Sequence, residues 1–265
     1  MQMDFIKRIF CLDGKKAIVT GGNSGIGLGI ATSLASLGAD VAIIGRDPAT
    51  LEEAEAKLRA LGTDSKAYRV DVGIKREIDD FFDIYYKENG LKLDILVANA
   101  GITVGKRALD TTEEDVDRLF NINYKGSLFC CQRAAEAMKE QMSGVIIIVS
   151  SVNALYPLPT QSAYTSTKSS QEVLMQCLAV DLAKYGIRVN TLAPGAIKTN
   201  IGRDMPPRPA AAQPPAGNAR PNIPLGRIGA PEDMGDAVAC LVTDAFRYMT
   251  GSTVLIDGGL KLRNV

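Results

Sequence analysis

Apolar residues in this chain gather into short, nearly unbroken runs: KAIVT at 16–20, DVAIIG at 40–45, KAYRV at 66–70, LDILVAN at 93–99, GVIIIVS at 144–150, IRVNTLA at 187–193 and STVLIDG at 252–258. A strand with helices on both faces needs apolar residues on both sides, so continuous runs rather than alternation mark buried parallel strands. The stretches between them carry helix signals. Thr111 followed by Glu114, ahead of Val116, Leu119 and Phe120, reads as a capping box in front of an apolar stripe. Strands alternating with helices imply parallel crossovers, and the pattern predicts an α/β fold: a doubly wound parallel sheet of about seven strands in one domain over residues 1–265.

One segment breaks the pattern. MPPRPAAAQPPAGNARPNIP, residues 205–224, holds seven prolines and excludes a regular element. It falls inside the domain, between a strand end and a later helix, which favours an active-site lid over about 196–224 rather than a linker.

Thirty Lys and Arg balance thirty Asp and Glu, which argues against a nucleic-acid partner or an anionic membrane surface. Asp4, Lys7 and Arg8 interrupt the apolar residues of the opening, and no later run approaches a membrane span, so the expectation is a cytoplasmic protein with no membrane partner. Five cysteines without C-x-x-C spacing fit reduced thiols. There is no histidine, which makes a metal site improbable and removes the usual carrier of protons near neutrality.

KAIVT leads directly into TGGNSGIGLGIA, residues 20–31, and a helix through Leu34 and Leu37. Gly21, Gly25 and Gly27 leave room for a tight turn and for a phosphate to approach N–H groups at the helix N-terminus. The spacing is G-x-x-x-G-x-G rather than the commoner G-x-G-x-x-G, and such a turn also serves as a bare connection. Its place in the first βα unit makes Gly21, Asn23, Ser24, Gly25, Ile26 and Gly27 candidate dinucleotide contacts in a Rossmann-type fold. After the second strand come Gly45, Arg46 and Asp47. Arg46, with no acid at 45, points to a ribose 2'-phosphate and hence to NADP(H); Asp47 leaves NAD(H) possible, since it can neutralise Arg46 or itself reach the ribose.

YTSTK, residues 164–168, supplies an alternative to histidine. Forming a tyrosine phenolate at pH 7 costs about 4 kcal/mol from a reference pKa near ~10. Four positions apart on a helix, Lys168 can set its charge beside the Tyr164 oxygen and lower that cost. Ser151 ends the fifth strand, at the carboxyl edge where such sheets bind ligands, and its hydroxyl can polarise a substrate oxygen.

Taken together the chain resembles the short-chain dehydrogenase/reductase family over nearly its whole length. The resemblance rests on Thr20, Gly21, Gly25, Ile26 and Gly27; Asp71 and Val72; Asn99, Ala100 and Gly101; Asn123 in NINYKG; Ser151; Tyr164 and Lys168; Pro194, Gly195 and Thr199. It implies a hydride transfer between NAD(P)(H) and a secondary alcohol or ketone, with Tyr164 giving or taking the proton. It further implies Ser151, selected over Ser150 by family spacing, on the substrate oxygen, and Asn123 holding a water beside Lys168. Asp71 and Val72 would then hold the adenine, Asn99 to Gly101 the adenosine ribose, and Pro194, Gly195, Ile197 and Thr199 the nicotinamide end. Ala98 departs from the family's usual NNAG.

Substrate choice lies in residues 152–162 and the lid. FCLDGKKAIVTGG and IDGGLKLR look somewhat like sugar-acid and polyol dehydrogenases. Hydroxysteroids or cyclic ketones, and 3-oxoacyl thioesters met by Arg203, Arg208 and Arg220, are the alternatives, and a dinucleotide-sensing protein without catalysis the remotest. The resemblance also implies a homotetramer or homodimer through helices at about 112–139 and 162–184.

Overall fold

The computed structural model describes residues 2–199 and 223–263. Among these, seven strands form one sheet: β1 (Lys16–Thr20), β2 (Asp40–Gly45), β3 (Lys66–Arg69), β4 (Ile95–Ala98), β5 (Gly144–Val149), β6 (Ile187–Pro194) and β7 (Thr253–Ile256). Each predicted run is a strand, with ends within two residues of those expected. All neighbours pair in parallel, in the order β3-β2-β1-β4-β5-β6-β7. The winding reverses between β1 and β4, and a crevice opens at their carboxyl ends.

The helices are α1 (Gln2–Phe10), α2 (Gly25–Ser36), α3 (Pro48–Arg59), α4 (Lys75–Asn89), α5 (Glu113–Leu119), α6 (Gly126–Gln141), α7 (Ser162–Ala183) and α8 (Pro231–Leu241). Successive strand residues point to opposite faces, so the apolar runs feed two cores. Ile18, Leu96, Ile146 and Ile148 meet Phe82 of α4, Met138 of α6 and Met175 of α7 on one side. Val19, Val97, Ile147 and Val149 meet Leu34 of α2, Leu58 of α3 and Val238 of α8 on the other. No helix among the described residues is long and apolar enough to cross a membrane.

The expected capping box is displaced by one residue. Thr112, not Thr111, caps α5: its Oγ1 accepts from the Asp115 N–H at 3.2 Å, and Asp115 Oδ2 accepts from the Thr112 N–H at 3.1 Å. Thr111 instead donates back to the Arg107 carbonyl at 2.9 Å, closing the preceding turn. Both pairs have the right spacing, and Asp115 prevails because it also pairs with Lys106.

Candidate active site

The turn after β1 is locked to the turn after β4. Thr20 Oγ1 accepts from the N–H groups of Asn99 (2.9 Å) and Ala100 (2.8 Å), and Asn99 Nδ2 donates to the Thr20 carbonyl at 2.9 Å. Gly21 and Gly25 take φ of +64° and +52°, the left-handed region that side chains disfavour. A Cβ on Gly27 would stand 2.1 Å from the Gly21 carbonyl oxygen, so the turn closes only around a glycine. α2 then begins at Gly25, where Ser24 makes no side-chain cap and the first turn holds no acid. By contrast Asp47 caps α3 and Thr112 caps α5. The bare N–H groups of α2 therefore suit the pyrophosphate of a dinucleotide.

Beside this turn, the Asn23 side chain fills the space over Gly45: a Cβ there would lie 2.4 Å from Asn23 Oδ1, while Asn23 Nδ2 donates to Thr50 Oγ1 at 2.8 Å. Asn23 thus shapes the end of β2 and excludes an acidic side chain from position 45. Asp47 accepts from the Thr50 N–H at 3.0 Å, a bond that holds its carboxyl below the usual range and commits it to the α3 cap. Arg46 is left facing outward, 3.9 Å from Asp71 Oδ2. Both line a cavity of about 620 Å³ with Gly73, Asn121 and Ile122. Asp71 also accepts from the Gly73 N–H at 2.8 Å, and Val72 is buried next to it.

α5 runs into α6 through a π-helical segment, Phe120–Lys125, the rare geometry that often marks function. It carries Asn123, whose Oδ1 accepts from the Ile102 N–H (2.9 Å) and whose Nδ2 donates to the Ile102 carbonyl and Thr167 Oγ1 (3.0 Å each). Asn123 thereby ties the turn after β4 to α7. Gly101 is pressed between them: a Cβ there would lie 3.2 Å from Asn123 Oδ1 and 3.5 Å from Lys168 Nζ.

On α7, Tyr164 and Lys168 are both buried. Burial pushes the Tyr164 phenol up from its ordinary pKa, and a hydrogen bond from Ser151 works against that. Ser151 follows β5 and caps the turn at Val152–Ala154, accepting from the Asn153 N–H at 3.1 Å. Ser150 is directed elsewhere, its hydroxyl donating to the Lys168 carbonyl. Lys168 is brought to the Tyr164 side chain, as its place one turn along α7 requires. Its ammonium lies 5.8 Å from the Tyr164 ring centroid and donates to the Val149 carbonyl and to Gln171 Oε1, each at 2.9 Å. Burial lowers the Lys168 pKa to about 8, with Glu172 opposing.

At the far end of the crevice, Pro194 closes β6, and the Gly195 N–H donates to the Ile256 carbonyl at 2.9 Å. Ile197 bridges to Gly229. Thr199 reaches back to the glycine turn, close enough that a Cβ on Gly25 would stand 3.4 Å from it. Most of the expected lid, with Arg203, Arg208 and Arg220, lies outside the described residues. Its two ends are fixed: Lys198 donates to the Gly229 carbonyl, and Leu225 to that of Gly258. Near Ser151, Asn153 Nδ2 donates to Gln161 Oε1 at 2.5 Å, and Lys261 lies over the Tyr156 ring.

The profile of the family described as enoyl-(acyl carrier protein) reductase matches residues 21–261. The chain is 38% identical over 251 residues to L-rhamnose 1-dehydrogenase (NAD(P)(+)) of Sphingomonas sp. (strain SKA58), covering 94% of this chain and 97% of that protein. This chain belongs to the short-chain dehydrogenase/reductase family. The short-chain dehydrogenase/reductase 3beta-hydroxysteroid dehydrogenase 1 of Eggerthella lenta is 35% identical over 254 residues, 95% of each chain. A solved short-chain type dehydrogenase/reductase from Mycobacterium marinum superposes with a TM-score of 0.87 at 33% identity, covering 96% of this chain and 98% of that one. As a member of this family the protein is an NAD(P)-dependent oxidoreductase acting on CH-OH groups.

Against the short-chain dehydrogenase/reductase pattern, Ala98 is wholly buried in the apolar layer under α6, so the missing amide is replaced by packing. The sequence reading passed over Gln171 and Glu172. Both are buried, and Glu172 Oε2 accepts from Thr191 Oγ1 at 2.7 Å and Thr253 Oγ1 at 2.5 Å. The signal for them was present: two long polar residues three and four positions after Lys168, on the stretch of α7 that packs against the sheet.

Proposed function

We propose that this enzyme interconverts a secondary alcohol and a ketone on a hydroxyl-rich substrate, a sugar, sugar acid or polyol, with NADP(H) as the favoured dinucleotide and NAD(H) usable. The observation that carries the reading is the buried Ser151–Tyr164–Lys168 group at the carboxyl edge of the sheet, beside an uncapped glycine-turn helix. The dinucleotide supplies or accepts the hydride, a chemistry that belongs to the cofactor. Tyr164 donates its hydroxyl proton to the carbonyl oxygen in reduction and takes the alcohol proton in oxidation. Ser151 holds the same oxygen, and Lys168 carries the positive charge that favours the phenolate. Gly21, Gly25 and Gly27 would cradle the pyrophosphate, Asp71 and Val72 the adenine, Asn99 to Gly101 the ribose, and Ile197 and Thr199 the carboxamide.

Asn153 and Gln161 support a hydroxyl-rich substrate, since their paired amides offer donors and acceptors next to Ser151. Likeness to an L-rhamnose dehydrogenase points the same way. The exposed Leu155 and Leu158 on that loop favour the second reading, a hydroxysteroid or cyclic ketone. The segment at about 196–224 is proposed to complete the substrate site as its lid.

NADPH and NADH consumption against keto-sugar acids, sugars, steroidal ketones and 3-oxoacyl thioesters tests both assignments. Turnover confined to the hydroxyl-rich substrates, with KM for NADPH raised about tenfold by Arg46→Ala and KM for NADH unmoved, is the expected result. Turnover confined to steroids or thioesters would overturn the substrate class.

A further inference from the structure

The Lys168 ammonium is seated by a side chain for which the reaction above has no use. Gln171, one turn further along α7, is fully buried. Its Oε1 accepts from Lys168 Nζ at 2.9 Å, and its Nε2 donates to the Asn123 main-chain carbonyl and to Ser127 Oγ, each at 2.7 Å. The same carbonyl accepts from Ser127 Oγ at 2.8 Å, so both of its lone pairs are taken. A continuous chain therefore runs from Lys168 through Gln171 to the π-helical segment, entirely inside the protein.

We propose that Gln171 is a positioning residue for proton transfer: its amide seats the Lys168 ammonium and closes the path from that ammonium to the Asn123 carbonyl. The inference rests on Tyr164 and Lys168 being the proton-transfer pair. An amide accepts only at oxygen and donates only at nitrogen, so it fixes the direction of both hydrogen bonds. Passing a proton through it would leave an imidic acid, whereas a water in the same place accepts and donates at one atom. In reduction, Tyr164 loses its hydroxyl proton to the substrate oxygen and becomes a phenolate. Two of the three ammonium N–H groups are occupied by Val149 and Gln171, which leaves one for the phenol oxygen or a ribose hydroxyl.

The charged and titratable groups that bear on Lys168 are Tyr164 and Glu172, both on α7. From the other elements it meets neutral groups: the Val149 carbonyl at the end of β5 and Gly101 after β4, with Asn123 of the π-helical segment beside Gly101. Among the described residues, Gln171 is thus the one neutral side chain whose replacement alters the hydrogen bonding of the ammonium without altering charge.

The test is the titration of Lys168 in protein labelled with [ε-13C]lysine, its resonance assigned by its loss in Lys168→Met. Gln171→Met keeps the volume but removes the acceptor. Its Lys168 midpoint should fall by about one pH unit. The kcat for ketone reduction at pH 8 should then fall about fivefold, with the dissociation constant of NADPH unchanged. Gln171→Glu sets a carboxylate in the same place and should move the midpoint up and restore turnover at pH 8. A midpoint unmoved in Gln171→Met overturns the proposal; where that variant does not fold, an unmoved midpoint in Gln171→Glu does so. Tyr164→Phe separates this from the reading beneath it: turnover retained there sinks the assignment of the pair, whereas the Lys168 titration answers for Gln171 alone.

Discussion

Lys168 is a charge kept inside the protein at the expense of stability. Its folded pKa of about 8 lies below the usual lysine value of 10.5. Between those values the unfolded chain binds more protons than the native one, so this group's contribution to stability rises with pH; below about 8 the full penalty of about 3 kcal/mol is present. Lys168→Met should therefore raise the melting temperature at pH 7 by roughly 5 °C, a gain that shrinks toward pH 10, while abolishing turnover. Calorimetry at the two pH values checks it, and an equal gain at both would remove the charge as its cause. Tyr164→Phe keeps the buried ring and deletes one hydroxyl, and kcat should drop at least a hundredfold with dinucleotide binding intact, measured by fluorescence titration. Because burial holds the phenol protonated, reduction should proceed near neutral pH and oxidation should accelerate as pH rises. These side chains were legible in the sequence because YTSTK is a local signature. The tethers were not: Gln171 meets Asn123 from 48 positions away, and Asn23 meets Gly45 across two strand ends, contacts that only the fold creates.

At the scale of elements, apolar runs sufficed to locate the strands, since a parallel sheet covered on both faces has no other way to be built. Helix starts were less secure, because Thr111 and Thr112 offer the same spacing and only the tertiary partner Lys106 decides between them. The π-helical segment left no trace in the periodicity, although it carries Asn123. The α2–α8 crossing is another feature hidden from the sequence. A Cβ on Gly29 would stand 2.5 Å from the Pro231 carbonyl, and one on Gly235 2.4 Å from that of Gly29. Gly29→Ala gains about 1 kcal/mol of helix propensity but loses about 1–3 kcal/mol to overpacking. It should lower the melting temperature and, by shifting the N-terminus of α2, weaken NADPH binding. Improved stability with unchanged binding would mean that the crossing relaxes freely.

For the whole molecule, the two faces of α7 divide the labour. Tyr164, Lys168 and Gln171 point inward, while Val173 and Val180 are 59% and 79% exposed on a face that no described residue covers. A second copy of the chain is the occupant expected from the family resemblance, as a homodimer or homotetramer. Val180→Asp should shift the sedimentation coefficient toward the monomer at micromolar concentration, and an unchanged value would place the interface elsewhere. Finally, the segment between Thr199 and Ile223 is held at both ends by the framework, through Ile197 with Gly229 and Leu225 with Gly258. Closing a loop of twice the length costs only about 0.6 kcal/mol more. The two anchors therefore fix where the chain leaves and rejoins the framework whatever stands between them, and a change of length between Thr199 and Ile223 is expected to leave the sheet register and the glycine turn untouched.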